Sequence, residues 1–118
     1  MAKVVLYGIP NCDTTKKAMN WLNKRKIAYS FHDYKTAGAD KKKLEEWIGK
    51  TGVDTVFNKR STTWKELPAA EQAKASTEAG ALKLMIENTS IIKRPIIEAG
   101  NALLVGYNEE QYNKHLKQ

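Results

Sequence analysis

Only one cysteine, Cys12, occurs in the 118 residues, so no disulfide can form within the chain. Two histidines, His32 and His115, stand beside it in the inventory. That set is too small for a closed structural zinc site without carboxylates or a second chain, and no metal is expected. With three prolines and seven glycines, the chain contains no low-complexity tract, internal repeat or linker. No apolar run approaches the roughly 18–20 residues that a bilayer crossing requires. The longest near the start, Val4-Val5-Leu6-Tyr7, is cut off by Gly8 and Pro10 and is too short for the core of a secretory signal. These absences predict a cytoplasmic protein with one free thiol and no membrane partner.

What is present describes an ordinary globular chain, 42% hydrophobic and 28% charged. Its length matches one domain of roughly 100–200 residues, and such a chain buries about two-thirds of its unfolded surface. Twenty Lys and Arg against thirteen Asp and Glu leave a net charge of +7, which favours anionic partners. The lysines are nevertheless dispersed from Lys3 to Lys117. Their densest run, from Asp40 to Glu46, reads as the polar face of a helix, and aromatic and basic residues do not interleave along a strand. A nucleic-acid partner is therefore not expected.

Hydrophobic periodicity predicts the elements. Lys3 to Gly8 reads as a buried strand, broken by Gly8-Ile9-Pro10-Asn11. Ala18, Trp21, Leu22 and the Arg25 stem fall at helical spacing, with Met19 beside them. This predicts a helix from about Thr14 to Lys26, capped by Asp13 or Thr14. Ala28 to Tyr34 alternates as a second strand, and a β-α-β opening normally pairs its strands in parallel with a right-handed crossover. Asp40 is expected to cap a helix carrying Leu44, Trp47 and Ile48, closed by Gly52. A short helical piece and a polar loop, Asn58 to Thr63, follow, with Trp64 and Leu67 as anchors. Ala69 to Asn88 reads as one or two helices broken near Ser76, with Leu82, Met85 and Ile86 inward. Ile96–Ala99 and Ala102–Val105 around Gly100-Asn101 predict a hairpin. Asn108 with Gln111 predicts a capped final helix, with Glu109 and Glu110 early and Lys114 and Lys117 late, as the helix dipole favours. The order β-α-β, helices, β-β-α describes an α/β layer with an all-helical insertion.

Cys12 falls between a strand end and a helix start. Unpaired N–H groups and the dipole at such a position favour thiolate over thiol, and can bring the pKa from about 8.5 into roughly the 3.5–7.5 range. A free cysteine is otherwise most often a small buried hydrophobe. Thr15 occupies the second position of what would be a C-x-x-C pair, so any mixed disulfide on Cys12 needs an external thiol, for which cytosolic glutathione is the obvious supply. His32 reads as a packed, hydrogen-bonded histidine, and Lys59, Arg60 and Arg94, taken singly, as solvated cations. Composition alone gives Arg94-Pro95 a trans bond, since only about 5–6% of X-Pro bonds are cis.

Taken together, Cys12 and Ile92-Lys93-Arg94-Pro95-Ile96 make a pattern that resembles the ArsC/Spx family of thioredoxin-fold proteins, and most closely its YffB-type branch. Matching stretches run nearly the whole length. They include Tyr7 to Thr14, Lys17-Ala18, Trp21-Leu22, Phe31 to Lys35, Trp47-Ile48, Asn58 to Trp64, Leu67-Pro68, Ser90 to Pro95 and Leu103 to Tyr107. The resemblance implies one ArsC-like domain over 1–118: a thioredoxin-like mixed sheet flanked by helices, from about 1–35 and 89–118, with a helical insertion over about 36–88. It implies a catalytic Cys12 thiolate, stabilised by Asn11, the N–H groups of Asp13 and Thr14, the Thr15 hydroxyl and Arg94, facing a cis Pro95. Arg60, Lys59, Arg94 and Pro95 would bind substrate or glutathione, with no bound cofactor. Arsenate reductases of the family begin His-Asn-Pro-x-Cys and use three arginines. Here Gly8 replaces the histidine, Arg94 matches one arginine, Arg60 only approximates the second, and no cation stands near Gly106. Thr15 removes the C-x-x-C switch of many Spx regulators. The implied function is a glutathione-dependent thiol reductase. Its rivals are an arsenate reductase coupled to glutathione and glutaredoxin, and an Spx-like adaptor docking on a partner such as RNA polymerase.

Overall fold

Val4, Val5 and Tyr7 suit a pleated, half-buried surface, and Val4–Gly8 forms strand β1 at the interior of a four-stranded sheet. The computed structural model describes residues 3–116 and comprises two units, residues 3–37 with 94–116, and Gly38–Lys93. In the first unit, helix α1 (Asp13–Lys24) leads to β2 (Ser30–Asp33), which pairs with β1 in parallel, Leu6 opposite Phe31 and Tyr7 opposite His32. Strands β3 (Ile96–Ala99) and β4 (Ala102–Val105) form the hairpin. β3 lies antiparallel to β1, with Leu6 opposite Ile97, and β4 antiparallel to β3. The order β2-β1-β3-β4 is a mixed sheet in the thioredoxin-like arrangement.

One face of this sheet carries Leu6, Ile97, Ala99 and Leu104. It packs on Ala18, Trp21 and Leu22 of α1 and on Tyr112 and Leu116 at the last helix. Spacings of three and four residues put the α1 side chains on one stripe. The Trp21 and Tyr112 rings meet edge to face at 5.3 Å, and the Arg25 guanidinium lies 3.9 Å from the Trp21 ring centroid. Leu22 is fully buried, so truncating it to alanine costs about 2–5 kcal/mol.

Boundaries differ from the periodicity reading in three places. Helix α1 starts at Asp13 and ends at Lys24, with Cys12 itself in the capping position and no side-chain cap from Asp13 or Thr14. The second strand covers only Ser30–Asp33, because Tyr34 opens a one-turn helix, α2 (Tyr34–Ala37), where the Asp33 carboxylate accepts from the Lys35 N–H. In the polar loop, Ser61 accepts from the Trp64 N–H and turns Thr62 and Thr63 into a helix.

The second unit is helical. It contains α3 (Lys41–Thr51), α4 (Val53–Val56), α5 (Thr62–Glu66), α6 (Ala69–Gln72) and α7 (Glu78–Glu87), with 3₁₀ turns at Ala73–Ser76 and Thr89–Ile91. Asp40 caps α3 through the Lys42 N–H at 2.9 Å, and Gly52 closes it. Helix α7 buries Ala81, Leu82, Leu84 and Met85, while Ile86 stays half-buried. A β-carbon on Gly80 would overlap the Lys74 carbonyl, so the chain can enter α7 from the preceding turn only with hydrogen there. An isolated bridge, Phe57 with Ile92, ties the end of α4 to the segment before Lys93, and Phe57 meets Trp64 edge to face at 4.9 Å.

The chain closes in the first unit with α8 (Glu109–His115), where the Asn108 side chain accepts from the Gln111 N–H at 3.1 Å. Lys114 and His115 fill its last turn, and Lys117 lies outside the described residues.

Candidate functional site

The break after β1 places Cys12 at the N-terminus of α1. Its own N–H donates to the Ile9 carbonyl at 3.1 Å, and its carbonyl accepts the first helical bond, from Lys16, at 2.9 Å. The sulfur is therefore held at the helix mouth, half-buried. Burial alone would push the thiol pKa up. The Thr15 N–H, the Arg94 guanidinium and the hydroxyls of Thr15 and Thr14 outweigh that penalty and hold Cys12 at about 6, against an ordinary 9.0. The backbone donor is thus the N–H of Thr15, one residue beyond Asp13 and Thr14. The Thr14 oxygen lies 3.7 Å from the sulfur, at the outer limit for a sulfur hydrogen bond.

Thr15 is fully buried, and its hydroxyl has no hydrogen-bond partner among the described residues. A β-carbon on Gly8 would come within 2.7 Å of that hydroxyl oxygen and 2.9 Å of the neighbouring methyl. The absence of a side chain at position 8 is what lets Thr15 tuck against the end of β1. Periodicity draws no attention to Gly8 beyond its role as a strand breaker.

Pro95 follows Arg94 through a cis peptide bond, as the family resemblance implies and against the composition prior. Pro95 is buried, and its carbonyl accepts from the Gly106 N–H at 2.8 Å, which ties this segment to the end of the hairpin. Asn11 and Asp13 are exposed beside the cysteine. Lys59 and Arg60 belong to the helical unit. There they line a recess of about 260 Å³ with Asp54, Phe57, Asn58 and Lys93, and the Asn58 side chain accepts from the Arg60 N–H at 3.1 Å. His32 packs between rings, 5.1 Å from Tyr7 and 5.6 Å from Tyr34.

Two residues that sequence reasoning passed over stand on the sheet face that bears Tyr7. The Tyr7 hydroxyl donates to Glu98 Oε1 at 2.7 Å, a contact spanning 91 positions and invisible to any local pattern. Tyr34 is buried, stacks on Tyr7 at 6.4 Å, and has its phenol pushed above the ordinary range, first by burial and then by Tyr7 and Glu98, against the pull of Arg94.

A thioredoxin-like mixed sheet with a lone cysteine at the mouth of its first helix is the general class to which this arrangement belongs. The particular family follows from comparison: the model of the ArsC family matches residues 7–115, and the chain belongs to that family. It is similar to a solved structure named YffB protein, at 45% identity and a TM-score of 0.92, covering 97% of this chain and 99% of that one. It is also similar to an arsenate reductase (ArsC) related protein from Brucella melitensis, at 37% identity and a TM-score of 0.73, covering 98% and 96%. Among curated proteins, the global transcriptional regulator Spx of Streptococcus agalactiae is 29% identical over 115 residues, covering 96% of this chain and 82% of that one.

Proposed function

We propose that the protein is an oxidoreductase that reduces mixed disulfides with glutathione as the electron source, using Cys12 alone. The observation that carries this reading is the Cys12 thiol held at about 6 by Thr15, Arg94 and Thr14. At pH 7 about nine-tenths of such a sulfur is thiolate, the form that attacks disulfides. The thiolate attacks the glutathionyl sulfur of a substrate R–S–S–G, the S–S bond breaks, and R–S⁻ leaves to take up a proton. Cys12 then carries glutathione in a disulfide. A second glutathione thiolate attacks the glutathionyl sulfur, restoring the Cys12 thiolate and releasing oxidised glutathione. The net exchange is R–S–S–G + GSH → R–SH + GSSG: one free glutathione is consumed per turnover, and the other half of the oxidised glutathione comes from the substrate's own glutathionyl group. No second cysteine is required, which fits a chain that has none.

Arg94 has two tasks in this cycle. Its guanidinium lowers the cost of the sulfur anion, and a planar fork beside the sulfur suits a glutathione carboxylate. Lys59, Arg60 and the Pro95 segment are proposed as further substrate contacts.

The test is glutathione-dependent reduction of a glutathionylated peptide by the wild type and by Cys12→Ser. Turnover that vanishes in the variant, with a glutathione adduct on wild-type Cys12 by mass spectrometry, supports the reading. Wild-type rates in the variant overturn it. Kinship with Spx, named as a regulator, motivates the adaptor alternative. A stoichiometric partner retained from extract by Cys12→Ser, with no thiol transfer by the wild type, favours that alternative. Arsenate-dependent oxidation of a glutathione and glutaredoxin system favours arsenate reduction.

A further inference from the structure

Three aromatic rings of the first unit follow one another from its core to its surface. Trp21 of α1 is buried and meets Tyr112 of α8 edge to face, with centroids 5.3 Å apart. Tyr112, wholly enclosed, meets Tyr107 in the same manner at 5.4 Å. Tyr107 is half-buried, and its hydroxyl donates to Glu109 Oε1 at 2.9 Å in an exposed pair.

Packing accounts for the ring contacts, but the polar ends of the three side chains differ in what they can do with a proton. The Trp21 Nε1–H has no hydrogen-bond partner among the described residues. The Tyr112 hydroxyl donates to the Gly106 carbonyl at 2.8 Å, and a carbonyl is a poor base. Tyr107 alone of the three rests on a carboxylate, which is an acceptor and a base. A phenol that loses an electron becomes a strong acid, so it is readily oxidised only where its proton has a place to go. Charge works in the same direction: the Arg25 guanidinium, 3.9 Å from the Trp21 centroid, opposes positive charge on the indole.

We propose that Trp21, Tyr112 and Tyr107 form a path that carries oxidising equivalents out of the core, with Glu109 as the proton acceptor at its outer end. A one-electron oxidant, a radical or a photo-excited dye, takes an electron from Trp21 and leaves the indole radical cation. An electron crosses from Tyr107 through the Tyr112 ring and restores Trp21. As it leaves, the Tyr107 O–H proton passes to Glu109, giving a neutral tyrosyl radical and a carboxylic acid. A soluble hydrogen-atom donor such as ascorbate then rebuilds the phenol, and Glu109 returns its proton to water. The net transfer is one electron from the donor to the oxidant and one proton from the donor to water. None of these steps uses Cys12, so the path stands apart from the thiolate reading.

The test is photoionisation of the full chain at the red edge of tryptophan absorption, where tyrosine does not absorb, followed by transient absorption and spin trapping. In the wild type, part of the tryptophan radical signal should give way to a tyrosyl signal, and peptide mass spectrometry should find the trap on Tyr107. Trp47 and Trp64, in the helical unit, share the light, so Trp21→Phe identifies the source and should abolish the tyrosyl signal. Tyr107→Phe removes only a hydroxyl and should also lose that signal, leaving a longer-lived tryptophan radical. Glu109→Gln keeps an acceptor for the hydroxyl but removes the base, and should lose it too; rings that merely pack would not respond to this change. Circular dichroism checks the fold of each variant, and the two surface changes suffice if Trp21→Phe fails to fold. A tyrosyl yield unchanged in Tyr107→Phe or in Glu109→Gln, or a trap found on another tyrosine, overturns the path.

Discussion

Thr15→Val isolates the contribution of one hydroxyl to the thiolate. Valine matches threonine in shape, so packing against Gly8 is preserved and only the donor is lost. The sulfur's net fall from 9.0 to about 6 is shared by four donors working against burial: the Thr15 N–H first, then Arg94, then the hydroxyls of Thr15 and Thr14. A hydrogen bond to a charged group contributes about 1.5–3 kcal/mol where it is shielded and less where solvent reaches the sulfur. A rise of about 0.5–1.5 pH units in the Cys12 pKa is the expected outcome, read from alkylation rate against pH. Stability carries a second signature. With Cys12 protonated at pH 5, the buried Thr15 hydroxyl has nothing better than a neutral thiol to pair with, and valine removes a desolvated polar group. The variant should then equal or exceed the wild type in urea unfolding. At pH 8 the wild type has a thiolate for that hydroxyl, and the variant should be the weaker by about 1 kcal/mol. Thr15→Ser keeps the hydroxyl and should restore the low pKa despite its smaller side chain. An unchanged pKa in Thr15→Val, or the same stability difference at both pH values, would refute the reasoning.

Three further outcomes follow from the same geometry. The folded Cys12 pKa of about 6 lies below the roughly 8.5 of an unfolded chain, so the unfolded state binds more protons between those values. Wild-type stability relative to Cys12→Ser should therefore climb from pH 6 to about 8.5 and be lost as pH falls through 6, by about 1–2 kcal/mol once solvent screening is allowed for. Gly8→Ala drives a β-carbon into Thr15 and should cost about 1–3 kcal/mol in denaturant unfolding while raising the Cys12 pKa. Gly80→Ala should be destabilising by about 2 kcal/mol or more in thermal melts because of the Lys74 carbonyl, although helix propensity alone favours alanine by about 1 kcal/mol; a stabilised variant would show the overlap to be harmless.

Features written in neighbouring residues were legible in the sequence. The caps at Asp40 and Asn108, the break near Ser76, the hairpin at Gly100-Asn101 and the placement of Cys12 each depend on a few consecutive side chains. Tyr34 illustrates a local signal that was overridden: alternation extends the strand through it, yet the Asp33 turn starts a helix there. Ile86 lies on the expected apolar stripe of α7, but Ala81 and Leu84 are turned further inward. Within the site, the cysteine and Arg94 could be named because they carry chemistry in recognisable surroundings. Gly8 and the Tyr7–Glu98 pair could not, since each works only through a neighbour that the fold brings near. Gly8 displays nothing, and its importance lies in the Thr15 methyl and hydroxyl that lean over it.

The last helix has a reach that its distance along the chain conceals. Tyr112, wholly enclosed, donates its hydroxyl to the Gly106 carbonyl at 2.8 Å, and the Gly106 amide donates in turn to the carbonyl of Pro95, next to Arg94. A polypeptide ending before Asn108 would lose the first of these tethers together with the aromatic wedge against Trp21. Damage at the tail would then be felt two hydrogen bonds away, as a slackened hold on the proline that follows Arg94.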